Sequence, residues 1–380
     1  MLIEAGKTEW LHPRDEMIEA KGKGKMQTYW LDLHRRDSVI GQRSERVLSN
    51  IVKSADDSSV SDGSDTATPK SSQATMRDVM KPVINGKTKR LIMWNVEVLQ
   101  KGLRGILAHR SMNQKRVSAV QLEDSRLTEK GSILDEITDS FPLDSRGERR
   151  CNPDNVELPP EAVSQLEDFV STIAALYNDD CSFHCFEHAS HVTMSVTKLL
   201  ARVVSSECSE FNEFRYQTSA DDRTKHPTFI KGITTDPMVH FACAFATLVH
   251  DVDHSGVTNT QLLTEGHEVA KTYPSSCHEQ NAVDVAWQLL MEPSYSDLRA
   301  CIYSTKDEYN RFRQLFVNLV IATDVLDEKL ASLRSRRWQQ AFNHDSAPVE
   351  ASPQDDDNRK ATIVLELMIQ VSSPDVVSFV

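Results

Sequence analysis

The sequence predicts a mainly α-helical fold, with a small β segment at the N-terminus and a disordered linker between the two. Three observations predict it. From Pro159 onward, apolar residues recur at helical spacing in run after run. Near the start, two short extended runs flank Gly22 and Gly24. Between these regions, Ser54 to Ser72 is Ser, Asp and Thr with almost no large apolar residue. Such a stretch buries too little surface to offset its chain entropy.

Taken in order, residues 1–33 read as a β remnant, with a hairpin over "MIEAKGKGKMQTYWLDL". Residues 34–75 read as the linker. Residues 76–155 form a connecting segment that is partly helical, because Val98, Leu99, Leu103 and Leu107 share a spacing within Leu91 to Leu107. The last region, 156–380, is helical. Pro159 and Pro160 suit a helix start, and Val163, Leu166, Val170, Ile173 and Leu176 then share a face. Further helical runs are expected over 188–204, 238–250, 278–291, 309–337 and 358–370. No internal repeat is visible.

Composition narrows the function. The chain has 380 residues, of which 39% are hydrophobic, so part of it can bury a core. Its formal net charge of -13 argues against a nucleic-acid partner, and means that an anionic substrate would need a local cation or metal. The 7 cysteines are odd in number and form no C-x-x-C pair, which fits reduced thiols and a cytoplasmic chain. Met1 to Lys7 shows no signal-peptide pattern. The longest apolar run, Phe241 to Val249, falls well short of the roughly 20 residues of a membrane span.

Three clusters carry chemistry. His184-Cys185-Phe186-Glu187-His188 places two histidines four apart, on one face if the stretch is helical. His250-Asp251-Val252-Asp253-His254 ends an apolar helical run, and His278-Glu279-Gln280-Asn281 opens another. Imidazole and carboxylate together are ligands that zinc takes, and a carboxylate can also serve a harder ion such as magnesium. Each cluster alone is commonly chance or a partly exposed helix face; their joint occurrence in one helical region points to a metal site. A competing reading is the H-x-x-E-H pattern of inverzincin metallopeptidases, with His184 and His188 as ligands and Glu187 as base.

These residues resemble the catalytic domain of the class I cyclic nucleotide phosphodiesterases, all-helical HD-type hydrolases. "FHCFEHASHV" resembles the family's Tyr-His-Asn-x-x-His-Ala-x-x-Val signature, with Phe183 and Cys185 as departures. "HDVDHSGVTNTQLL" is similar to its His-Asp-Val-Asp-His-Pro-Gly-x-x-Asn segment, with Ser255 for Pro. "HEQNAVDVAW" lies where the family often has Glu-x-His-His, and "IATDVLDEKL" resembles its Ala-Thr-Asp segment. The resemblance runs from about Pro159 to Gln370. It implies hydrolysis of cAMP, cGMP or both to nucleoside 5′-monophosphates in signal transduction. It also implies two divalent ions, zinc with magnesium or manganese. His184 would be the general acid. His188, His250 and Asp251 would be metal ligands, with Asp251 bridging. His254, Glu279 and Thr323 would hold metal-bound water, with Asp324 beside them.

Two further expectations come from the ends. "KTEWLHPRDEMIEAKGKGKMQTYWL" resembles the end of a class III nucleotidyl cyclase domain. That implies a longer parent on the cytoplasmic face of a membrane, dimeric through its cyclase part. After "NRKATIVLELMIQ" the family continues with Ala-Ser-Asp, whereas here "VSSPDVVSFV" follows. Asp375 is two positions late, which on a helix is a rotation of about 200°. The expectation is therefore a catalytic domain incomplete at its C-terminus and lacking its fourth ligand and purine pocket. This keeps open a non-catalytic regulatory fragment.

Overall fold

A computed structural model describes four short strands between Leu11 and Leu31, and residues 85–113, 133–141, 143, 153–178, 180–208, 228–342 and 352–373. The chain divides into two compact units, Met1–Met76 and Arg77–Val380. In the first, β1 (Leu11–Pro13) pairs antiparallel with β4 (Tyr29–Leu31), and β2 (Ile18–Ala20) with β3 (Gly24–Met26). The expected hairpin is thus formed, with Ala20 opposite Gly24. The expected linker and Asp375 lie outside the described residues.

The second unit is helical, with no strand among its described residues. It opens with α1 (Gly86–Asn113), capped by Asn85, whose Oδ1 accepts from the Lys87 and Thr88 amides at 2.9 Å each. Leu99, Leu103 and Ile106 on α1 are buried. The helix lies in the stretch read as a connecting segment, yet it packs into the helical body. Next come α2 (Pro160–Leu176), α3 (Phe186–Cys208) and α4 (Thr228–Thr235). On α2, Phe169 joins the buried face, while Val163 sits only half-buried at its margin.

The hub is α5 (Pro237–Val249), about 20 Å long at 1.5 Å per residue. It is apolar nearly all round, as a helix enclosed by others must be. The Asp236 carboxylate accepts from the Met238 amide at its N-terminus, and Arg311 pairs with the same carboxylate. Phe245 packs against Phe169, Phe241, Phe312 and Phe316 with ring centroids 5.2–5.8 Å apart. The short α6 (Asn259–Glu265) and α7 (Glu268–Thr272) precede α8 (Cys277–Met291) and α9 (Ser296–Ile302). Then follow α10 (Lys306–Ile321), α11 (Glu328–Phe342) and α12 (Pro353–Ser372). Helices α1, α3 and α10 pack directly on α5.

The single helical run expected over 309–337 is instead two helices. The break is side-chain chemistry. Asp324 Oδ1 accepts from the Leu326 and Asp327 amides at 3.1 Å each. Asp327 Oδ1 accepts from the Lys329 and Leu330 amides at 2.9 Å each. Each carboxylate offers the backbone an alternative to the helical ladder, and the second starts α11.

Arg337 on α11 is wholly buried and ion-paired with Glu366 on α12. Its Nη2 also donates to the Thr138 carbonyl at 2.7 Å. Arg337→Ala would strand a buried carboxylate, a change that typically costs about 3–5 kcal/mol. The expected outcome is a lower urea midpoint with an unchanged slope; an unchanged midpoint would show that the pair does not hold α12.

Candidate metal centre and its histidine cluster

The site forms where α5 ends. The Tyr177 hydroxyl donates to the Leu248 carbonyl at 2.8 Å and steadies that last turn. His250 and Asp251 follow directly. The chain then turns back through Asp253, at φ 61°, and Gly256, at φ 85°. Asn281 Nδ2 donates to Asp253 Oδ2 at 3.1 Å across the turn. At Gly256 the backbone conformation disfavours any side chain, and a Cβ would meet Cys181 Sγ at 3.2 Å.

Three imidazoles face one oxygen. Asp251 Oδ2 is 3.0 Å from His184 Nδ1, 3.2 Å from His250 Nε2 and 3.8 Å from His188 Nε2. The ligand atoms of His188, His250 and Asp251 all lie within 4.8 Å of one another, as do those of His184, Asp251 and His254. His188 is in the first turn of α3. His184 is not on that helix as the four-residue spacing suggested. It lies in the bend before it, and the fold rather than helical periodicity brings the two together.

The tautomer of His250 is set by its surroundings. Its Nδ1 lies 2.9 Å from the Thr247 carbonyl, which can only accept, so Nδ1 carries the proton. The Nε2 lone pair therefore faces the cluster, where the atom is buried and makes no hydrogen bond. A buried imidazole lone pair aimed at a carboxylate gains nothing from that carboxylate alone. A cation between them satisfies both, so the donor set fits a divalent metal.

Electrostatics agree. Burial alone would raise the Asp251 carboxyl, but positive charge at His250, which a bound cation would supply in place of a second ring proton, and then the His184 hydrogen bond outweigh it and hold the group well below the usual carboxylate range. Burial, then the neighbouring His278, keeps His254 well below the ordinary histidine value. His278 is pushed down to about 4, chiefly by burial. Glu279 is pushed up to about 8, first by burial and then by the Asp324 carboxylate. Cationic charge nearby would favour its ionised form again.

The remaining expected residues form a layer behind the cluster. Asn259 Nδ2 donates to Glu279 Oε2 at 3.0 Å and to Asp324 Oδ2 at 3.3 Å, so it joins the two carboxylates. Thr323 instead spends its hydroxyl proton on the Val320 carbonyl at 2.7 Å, with no hydrogen bond to the histidines. The sequence assigns no role to Tyr177 or Asn259, and His278 enters only as a member of the third cluster. Asn259 had a signal, since it ends the quoted "HSGVTN" stretch; Tyr177 had none. The peptidase arrangement fails on Glu187, whose carboxylate is on the solvent side and paired with Lys87 Nζ at 2.6 Å.

Comparison with known proteins adds the following. The family described as 3′5′-cyclic nucleotide phosphodiesterase matches residues 183–375, just over half of the chain. A Dictyostelium discoideum protein, 3′,5′-cyclic-nucleotide phosphodiesterase regA, is 25% identical over 174 residues, which is 46% of this chain and 18% of that protein. A Drosophila melanogaster 3′,5′-cyclic-AMP phosphodiesterase, isoform F, is 26% identical over 243 residues, 59% of this chain and 32% of that one. Mouse 3′,5′-cyclic-AMP phosphodiesterase 4C is 28% identical over 158 residues, 41% of this chain and 19% of that one. The chain thus spans about a third or less of the length of these relatives. Among solved structures, the phosphodiesterase domain of Salpingoeca rosetta rhodopsin phosphodiesterase aligns with TM-score 0.38 and 21% identity, over 55% of this chain and 52% of that one.

Proposed function

Because the chain belongs to the 3′5′-cyclic nucleotide phosphodiesterase family, we propose that it hydrolyses cAMP, cGMP or both to the nucleoside 5′-monophosphate, with divalent metal at Asp251. The observation that carries this reading is the convergence of His184, His188 and His250 on one oxygen of Asp251. His188, His250 and Asp251 would hold the metal, zinc with magnesium or manganese beside it, and Asp251 is the residue common to both ligand groups. Bound there, the metal supplies Lewis-acid polarisation of a phosphoryl oxygen and offsets the acidic charge of the chain.

His184 supplies the proton. Its Nδ1 is committed to Asp251, so in the imidazolium form the second proton sits on Nε2. Donation from there to O3′, as a water oxygen bonds to phosphorus, lets the P–O3′ bond break without releasing a bare alkoxide. Asp251 steadies the imidazolium before transfer and fixes its tautomer afterwards. Glu279 and Asp324, tied together by Asn259, form the polar wall that we assign to holding water behind the metals.

We also read 1–33 as the end of a nucleotidyl cyclase domain, 34–75 as a linker, 76–155 as a connecting segment and 156–380 as the hydrolase. The paired strands between Leu11 and Leu31 support the first of these. No helix among the described residues is long and apolar enough to cross a membrane, so placement of a parent protein at the cytoplasmic face rests on the cyclase reading alone.

The test is to incubate purified protein with cyclic AMP and, separately, cyclic GMP, and to follow the 5′-monophosphates. Turnover should stop with a chelator and return with zinc and magnesium. Protein that binds metal and substrate without turnover would select the regulatory-fragment reading.

A further inference from the structure

Behind the cluster stands an imidazole that the chemistry above does not use. His278 opens α8, and its ring stacks on His254 with centroids 3.7 Å apart and planes 20° from parallel. His254 stacks in turn on His184 at 3.7 Å and 16°. Three rings thus lie face to face, and the last is the proposed proton donor.

The three are not equally held. His278 is 5% exposed. Its Nε2 donates to the Val257 carbonyl at 2.9 Å, and its amide donates to Asn259 Oδ1 at 3.1 Å. His254 Nδ1 accepts from the Gly256 amide at 2.9 Å. His184 sits in a bend outside any helix, its side chain 22% exposed. The least enclosed ring leans on the most enclosed. Rotation about χ2 of a histidine is soft, so backbone placement alone leaves its ring plane undetermined. A parallel ring in van der Waals contact removes that freedom, because any tilt drives one edge into the neighbour.

We propose that His278 is a positioning residue, which fixes the ring plane of His184 through His254. The role rests on the reading of His184 as proton donor, and serves it by aiming Nε2–H at the leaving oxygen before substrate arrives.

Two variants separate the ring from its hydrogen bond. His278→Gln keeps an amide donor for the Val257 carbonyl but removes the ring; His278→Phe keeps a ring but removes the donor. In the glutamine variant, kcat should fall roughly 10-fold, within the range common for residues that orient an active group. KM, bound metal and melting temperature should change little. The phenylalanine variant should recover most of kcat. A purely structural role would instead lower melting temperature and activity together in both. The second readout is the imidazole NMR signal of His184 in metal-free protein, which should shift or broaden in His278→Gln and stay near wild type in His278→Phe. An unaltered His184 signal in the glutamine variant, or equal kcat losses in both, overturns the proposal. A responsive His184 ring in a protein that hydrolyses no cyclic nucleotide would refute the proposed function and leave the positioning role standing.

Discussion

Asp251→Ala will abolish cyclic nucleotide hydrolysis and deplete bound metal. Asp251 Oδ2 is the one atom that His184, His188 and His250 all approach, at 3.0, 3.8 and 3.2 Å. Among the described residues it is also the residue shared by both groups able to hold an ion. Removing it leaves neutral imidazoles without an anion, and the dication loses its charge partner along with a ligand. The loss should therefore exceed the roughly 10–100-fold typical of residues behind the ligands. Asp251→Asn keeps the shape and a hydrogen-bond acceptor for His184, so it isolates the charge; it too should lose metal and turnover. Glu279→Gln makes the internal comparison, with a milder loss. Elemental analysis and product formation on the same preparations decide it. Near-normal turnover in Asp251→Ala would refute the metal reading of this centre.

Much of that centre is legible in the sequence, and the legible part has a physical reason. His250 and Asp251 end the most apolar run in the chain, and a polar pair closing an enclosed helix has to be satisfied by something. His184 and His254 lie within ligand distance of Asp251, as do His188 and His250. Helical spacing accounts for only one of the pair His184 and His188, because His184 precedes α3 and tertiary packing supplies its proximity to His188. The helical class was readable from periodicity, whereas α4, α6, α7 and α9 were not. Five to eight residues are too few to display a period. The break between α10 and α11 was hidden because apolar spacing continues through it while Asp324 and Asp327 capture the backbone amides. Tyr177, and the ring contact of His278, were invisible for a different reason. Their importance lies in a carbonyl and a ring face far away in sequence, at Leu248 and His254.

His184→Ala will keep its metal and lose rate. The two ligand groups differ in one respect that predicts this. His250 presents a buried Nε2 lone pair fixed by the Thr247 carbonyl, as a ligand should. His184 uses Nδ1 on Asp251 and keeps an exposed flank, as a group that meets substrate should. Loss of a general acid typically lowers rate by about 10²–10⁴-fold. His188→Ala, by contrast, should lose metal as well as turnover. The leaving group sharpens the test. A sugar O3′ departs as a strongly basic alkoxide unless it is protonated, whereas a nitrophenolate departs readily without a proton. His184→Ala should therefore lose most of its activity on cyclic AMP and cyclic GMP, yet retain far more on bis(p-nitrophenyl) phosphate. A variant crippled on both substrates alike, with metal still bound, would show that His184 does something other than protonate the leaving oxygen. Loss of metal from it would instead place His184 among the ligands, in the group it forms with Asp251 and His254.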